Sequence, residues 1–154
     1  MVFKSEAQLK NFLMLKCRVA VASTEQKVYD IIDKCLVQFY EEFDPNEYIR
    51  TGKLLRSLVK SNIKQVENGF EVEVYFDVSA LNYQTGVVPT QTGTGYASWD
   101  DETVLRVAME SGVPHGGYES GTAVWTKSQA TIQALGGVYK MLERELKIIG
   151  VPII

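Results

Sequence analysis

Apolar and polar positions alternate along this chain with two different periods. Ser5-Glu6-Ala7-Gln8 has the Ser-x-x-Gln form of a capping box, in which side chains satisfy the free N–H groups of a starting helix. Leu9, Phe12, Leu13 and Lys16 follow at helical spacing. Ser23-Thr24-Glu25-Gln26 repeats that form. Val28, Ile31, Ile32, Cys35, Leu36, Phe39 and Phe43 then recur at three- and four-residue steps, the stripe of an amphipathic helix. The spacing predicts a helix over Thr24–Phe43, with the first segment either a separate short helix or the start of one long one. Asp44-Pro45-Asn46 ends it. Thr51 then caps a short helix carrying Leu54, Leu55 and Leu58.

From Val59 the period becomes two. Asn68-Gly69 separates Val59–Glu67 from Phe70–Val78, and both residues tolerate the positive φ of a type I′ hairpin turn. Phe70, Val72, Val74 and Phe76 share one face of the second strand, and Glu71, Glu73, Tyr75 and Asp77 the other. Val104, Leu105, Ala108 and Met109 form a short helical stripe behind Asp100-Asp101-Glu102, whose charge suits a helix N-terminus. Ser128 is the expected N-cap of a last helix burying Ile132, Leu135, Tyr139, Leu142, Leu146 and Ile149. Gly136-Gly137 inside that helix costs roughly 1 kcal/mol per glycine, which close approach to the N-terminal helix would offset. Gly150 is the expected residue just past its end, with Pro152 beyond. The expected fold is α+β: long N- and C-terminal helices packed on a small antiparallel sheet built on a β-hairpin, in a single domain over residues 1–154.

Val78 to Trp99 contains no charged residue. Loops of that length are uncommon in compact domains. Ordinary disordered segments are charged, and this one holds Val87, Val88, Tyr96 and Trp99 among its glycines and threonines. Two readings stand: a slack Gly/Thr excursion, or a loop or β-arm that orders against a neighbouring subunit. The second is favoured.

Composition narrows the function. With 45% hydrophobic residues and 23% charged over 154 residues, the chain can build a core. A net charge of −3 gives no general reason to bind nucleic acid. Arg50, Lys53, Arg56, Lys60 and Lys64 form a basic run. It reads as a solvated face pairing with Glu71 and Glu73 across the hairpin, or as contact with an acidic neighbour or DNA backbone. No run reaches the length of a membrane span and no signal peptide is visible. A cytoplasmic site of synthesis and no membrane partner are therefore expected. Cys17 and Cys35 could form a disulfide; the plainer reading is two buried thiols.

Little points to catalysis. The one histidine, His115, sits beside glycines, where a hydrogen-bonding strut or exposed loop residue is commoner than a base. Ser111 and Ser120 lack a Gly-x-Ser-x-Gly elbow. Asp100, Asp101 and Glu102 splay about 100° apart on a helix and cannot converge on a cation. No CxxC spacing suggests zinc, and Gly93-Thr94-Gly95 is no phosphate cradle. No cofactor is expected. A hydrolase or nuclease using His115 with Asp100 or Glu119 is the remote alternative. Tyr83, Tyr96, Trp99, Tyr118 and Trp125 flank the two loops, which suits a protein interface or anchors on the domain's own core.

Arg50-Thr51-Gly52-Lys53-Leu54-Leu55-Arg56-Ser57-Leu58, between a long helix and a hairpin, resembles the Arg/Asp-Thr-Gly-x-Leu-x-x-Ser turn of the phage tail-completion family, also called head–tail joining or tail terminator proteins. Tyr118-Glu119-Ser120-Gly121-Thr122 matches in part the Tyr-x-x-x-Glu-x-Gly-Thr element that follows the hairpin in that family, but lies far downstream. The resemblance implies a virion structural subunit, non-enzymatic, forming a ring, often a hexamer, that caps the tail tube and meets a head-completion or neck protein, with DNA passing the lumen. Another neck, connector or minor capsid protein of similar fold is the alternative. The expected assembly interface comprises Arg50, Thr51, Gly52, Lys53 and Arg56 of the turn, Tyr83, Val87, Val88, Tyr96 and Trp99 of the uncharged segment, and His115 and Tyr118.

Overall fold

A computed structural model describes residues 2–42, 52–67, 69–81, 87–89, 96–98, 101–111 and 123–153. The fold is α+β, helices with short antiparallel hairpins. Contacts divide the chain into two compact units. Unit 1 takes Met1–Tyr29, Lys60–Val74 and Ile132–Ile154; unit 2 takes Asp30–Val59 and Tyr75–Thr131.

Helix α1 runs unbroken over Glu6–Glu42, 37 residues. Half of the first capping box forms, the Gln8 N–H donating to Ser5 Oγ at 3.3 Å; the Gln8 side chain reaches one residue further back, its Oε1 accepting from the Lys4 N–H at 2.9 Å. The second does not start a helix. Thr24 lies mid-helix and its hydroxyl donates to the Ala20 carbonyl at 2.8 Å, the alternative use of a buried hydroxyl inside a helix. Phe43 lies outside the described residues.

Unit 2 has an apolar core. Ile32, Cys35, Leu36 and Phe39 of α1 are buried, as are Leu54, Leu58, Leu81, Met109 and Val124. Helix α2, Lys53–Ser57, starts from Gly52 in the left-handed region at φ 65, with no side-chain cap; the expected cap, Thr51, lies outside the described residues. A 3-10 turn at Val78–Ala80 packs against α2 and against α3, Asp101–Ser111. Asp77 caps that turn by accepting from the Ser79 N–H at 3.0 Å.

The central hairpin contains strands β1 (Leu58–Lys60), β2 (Lys64–Val66), β3 (Gly69–Glu71) and β4 (Val74–Phe76), with β1 beside β4 and β2 beside β3. Near the base, Asp77 N–H bonds the Ser57 carbonyl and Ser61 N–H the Glu73 carbonyl. Nearer the tip, Lys64 faces Glu71. Between these pairs two residues, Asn62 and Ile63, oppose one, Val72. That is a β-bulge, and the Glu73 N–H there takes the Ser61 hydroxyl at 2.9 Å. The turn also differs from expectation. Gly69 pairs with Val66 and so belongs to the ladder and not to the turn; Asn68 lies outside the described residues. Phe70, Val72, Val74 and Phe76 are half-buried while Glu71, Glu73 and Tyr75 are exposed, as the alternation requires.

The uncharged segment contributes a second hairpin, β5 (Val87–Pro89) with β6 (Tyr96–Ser98), paired Val87↔Ser98 through Pro89↔Tyr96. The expected last helix is two helices, α4 (Val124–Ala134) and α5 (Gly137–Ile148). Gly136 and Gly137 adopt φ 92 and 80, so the pair ends one helix and starts the next instead of crossing a helix interior. Ser128 is not a cap: it lies inside α4, buried, donating to the Val124 carbonyl at 2.6 Å. Of the expected buried stripe, Leu135 and Tyr139 are exposed and Ile132, Leu142, Leu146 and Ile149 half-buried, while Met141 and Glu145 are buried instead. The Gly150 ending is as expected. Gly150 N–H bonds the Lys147 carbonyl and Val151 N–H the Leu146 carbonyl, the paired bonds of a Schellman motif.

Gly136→Ala should destabilise the protein by about 2 kcal/mol, combining left-handed strain with a Cβ 2.9 Å from Lys140 Cβ and Cγ. Gly137→Ala, whose Cβ meets open space, should cost about 1 kcal/mol. Urea unfolding of the two variants measures the difference.

Candidate assembly surface

The Gly52–Leu58 turn is built for structure. The Arg56 N–H bonds the Gly52 carbonyl at 3.1 Å. A Cβ on Gly52 would stand 3.0 Å from Arg56 Nη1, so glycine serves both the left-handed φ and the guanidinium's approach. Leu54, Ser57 and Leu58 are buried, and the Ser57 hydroxyl donates to the Leu54 carbonyl at 2.7 Å. The leucine and serine of the turn therefore close the step from α2 into β1. Among its polar members, Lys53 is half-buried and Arg56 exposed.

The basic run does not form one face. Lys60 donates to Gln26 Oε1 and lies 5.3 Å from the Tyr29 ring centre, so it is turned toward α1 and not toward the glutamates. Lys64 stands opposite Glu71 in register, and ion pairs among the described residues include Lys27–Glu145, Lys140–Glu143 and Lys147–Glu143. Val87, Val88 and Tyr96 are strand residues of the β5–β6 hairpin. Arg50, Thr51, Tyr83, Trp99, His115 and Tyr118 lie outside the described residues, as do Asp100, Glu119 and Ser120.

The best-ordered polar cluster belongs to unit 1. Glu145 of α5 is buried. It accepts from the Ser23 hydroxyl at 2.5 Å through Oε2 and from the Lys27 ammonium through Oε1. The Lys27 bond, followed by the Ser23 bond, holds the Glu145 carboxyl below its ordinary value of 4.5. Through these bonds the cluster fastens α5 to α1. A carboxylate oxygen of Glu25, Oε1, is buried with no hydrogen-bond partner. Cys17 and Cys35 are free thiols. Among the described residues no group of three His, Cys, Asp or Glu could hold a metal ion, and no helix is long and apolar enough to cross a membrane.

Unit 1 is unevenly covered. Its buried side chains include Ala20 and Met141 but also the polar Thr24, Glu25 and Glu145. It holds Val2, Leu9, Leu13, Leu15, Val19, Val66, Leu135, Val138, Tyr139 and Ile148, ten of the thirteen exposed large apolar side chains among the described residues. A shallow groove of about 360 Å³ runs along α1 between Glu6, Leu9, Lys10, Leu13, Met14 and Cys17. Leu15 and Val19, 66% and 54% exposed, lie well round the helix from it. Single exposed leucines are ordinary; several on the described faces of α1 and α5 make this unit a candidate interaction surface. The sequence signal for it was the run Phe12–Leu15, which puts apolar side chains on every side of a helix.

The chain matches no protein-family model, no curated protein and no solved structure.

Replacing the clamp carboxylate, Glu145→Gln, should lower stability at pH 7 by about 1–3 kcal/mol. It should also flatten the pH dependence. A carboxyl with a depressed folded pKa stabilises fully above its unfolded value, near 4.5, and loses that contribution as pH falls through the folded value. Glu143, held to about 2 by hydrogen bonds from Lys140 and Lys147, titrates in the same direction, but its partners are exposed lysines of its own helix and it joins no second element. Urea midpoints between pH 7 and pH 2.5 should therefore fall less steeply for Glu145→Gln than for wild type, and Glu143→Gln should change the slope less.

Proposed function

We propose that this chain is a non-enzymatic structural subunit of a bacteriophage head–tail junction, a tail-completion protein that forms a ring, caps the tail tube and joins it to the neck. The observation that carries this reading is the apolar surface of unit 1. A side chain such as Leu15 or Ile148 left in water forgoes about 1.5–3 kcal/mol of burial, and ten such positions gathered in one unit fit a protein that completes its packing against neighbours. The Gly52–Ser57 turn leading into a bulged hairpin adds the family resemblance. The β5–β6 hairpin, drawn from a segment without charge, has the backbone form of an arm that can extend a neighbour's sheet. On this reading the partners are further copies, a tail-tube protein and a head-completion or neck protein. The protein resides in the virion after synthesis in the host cytoplasm.

Native mass measurement of the purified chain, alone and with tail-tube protein, tests this. A closed ring, a hexamer in the leading case, that binds the end of the tube is expected. A chain that stays monomeric in both mixtures overturns the reading. Self-association without tube binding moves it to another neck, connector or minor capsid role. Deleting Thr85–Ser98 should leave helical circular dichroism near wild type and weaken assembly; rings of unchanged stability would remove the arm from the interface.

A further inference from the structure

Helix α1 carries unlike charge at its two ends. Through Ala22 the chain holds Lys4, Lys10, Lys16 and Arg18 against Glu6, a net +3. The whole chain is −3, so the remainder holds −6. Within the basic part, exposed Leu15 and Val19 form an apolar centre. Lys16 and Arg18 flank that centre on either side at about 100° per residue. The Lys16 ammonium is 5.5 Å from the Phe12 ring centre, its stem lying along the apolar surface.

The C-terminal part of α1, in unit 2, presents the complement. Asp30, Asp33, Val37 and Glu41 recur at i, i+3, i+7 and i+11, one helical stripe. Asp30, Val37 and Glu41 are exposed and Asp33 is half-buried. Exposed Lys34 stands on the same face one turn from Asp30, so the stripe is a valine among net acidic flanks, three carboxylates to one ammonium, where the other patch is an apolar centre with basic flanks.

We propose that the Leu15–Val19 patch of one copy docks on the Asp30–Glu41 stripe of a second copy. The occupant follows from charge complementarity. A basic apolar patch on a chain whose remaining sequence is net acidic finds a complement in the acidic stripe of another copy, and two patches of opposite sign make the contact heterologous. Heterologous contacts close into rings when the rotation permits. This deepens the ring reading and rests on it. Oppositely charged flanks also set the register and the rate of encounter, and salt weakens both.

Charge reversal tests the pairing. Lys16→Glu with Arg18→Glu, and separately Asp33→Lys with Glu41→Lys, should each weaken self-association by at least about tenfold. The chain carrying all four changes should regain assembly. Native mass and sedimentation at low and high salt give the readout, with circular dichroism checking the fold. Should a reversal unfold the chain, Leu15→Ser and Val37→Ser, at exposed positions, are measured in its place and should weaken association likewise. Wild-type rings unaffected by these changes overturn the docking and leave the ring reading standing. Weakening by both reversals without recovery in the fourfold variant shows that the patches do not meet each other, and overturns it too. A wild type that is monomeric throughout overturns both.

Discussion

One buried carboxylate decides how unit 1 holds together. Glu145 joins the last helix to the first through Ser23 and Lys27. Few buried apolar side chains share that work in this unit: Ala20 on α1 and Met141 on α5. The lysine is half exposed and the carboxylate buried, so the pair contributes modestly while intact, but losing the lysine would leave a charge in a poorly solvated place. The clamp therefore specifies which faces of α1 and α5 meet more than it supplies net stability. Its members sit at fixed helical steps, Ser23 and Lys27 one turn apart, so both donors reach a single carboxylate.

Unit 2 is organised by different physics. Its part of α1, together with α2, Leu81, Met109 and Val124, forms an apolar cluster of the ordinary kind. Polar groups there are confined to local bonds, such as Ser57 to Leu54 and Ser128 to Val124. One helix thus passes from a region fastened by polar contacts into one fastened by burial. Among the described residues, most of the exposed large apolar side chains lie on the first side of that passage.

The sequence made part of this legible. Strong periodicity was readable: the stripe from Ile32 to Phe39, the alternation from Phe70 to Phe76, the ending at Gly150. Local chemistry with two uses was misread. Serine and threonine cap helices, but inside a helix they bond back one turn or reach another element, and Ser23 and Thr24 do both. Only a distant residue, Glu145, decides which. The glycine pair was costed as a helix interior, whereas its positive φ values make it a joint. Tyr139 was placed in the core because a single stripe was drawn through two helices. For the site, the Gly52–Ser57 turn was found for its pattern, yet its burial assigns Leu54 and Ser57 to the fold. Leu15 and Val19 were missed because a search for one apolar face passes over residues on the other.

The bulge opposite Val72 sets a rule of arithmetic for the central hairpin. Ser61 and Lys64 lie three apart, yet they oppose Glu73 and Glu71, which lie two apart. One residue fewer between Ser61 and Lys64 would restore plain alternation, and one fewer or one more would turn the tip strand over, exchanging its two faces. Side chains at Asn62 and Ile63 can vary while the turn and both strands keep their positions. The number of residues there cannot. In this hairpin, chain length itself carries structural information, independent of which amino acids supply it.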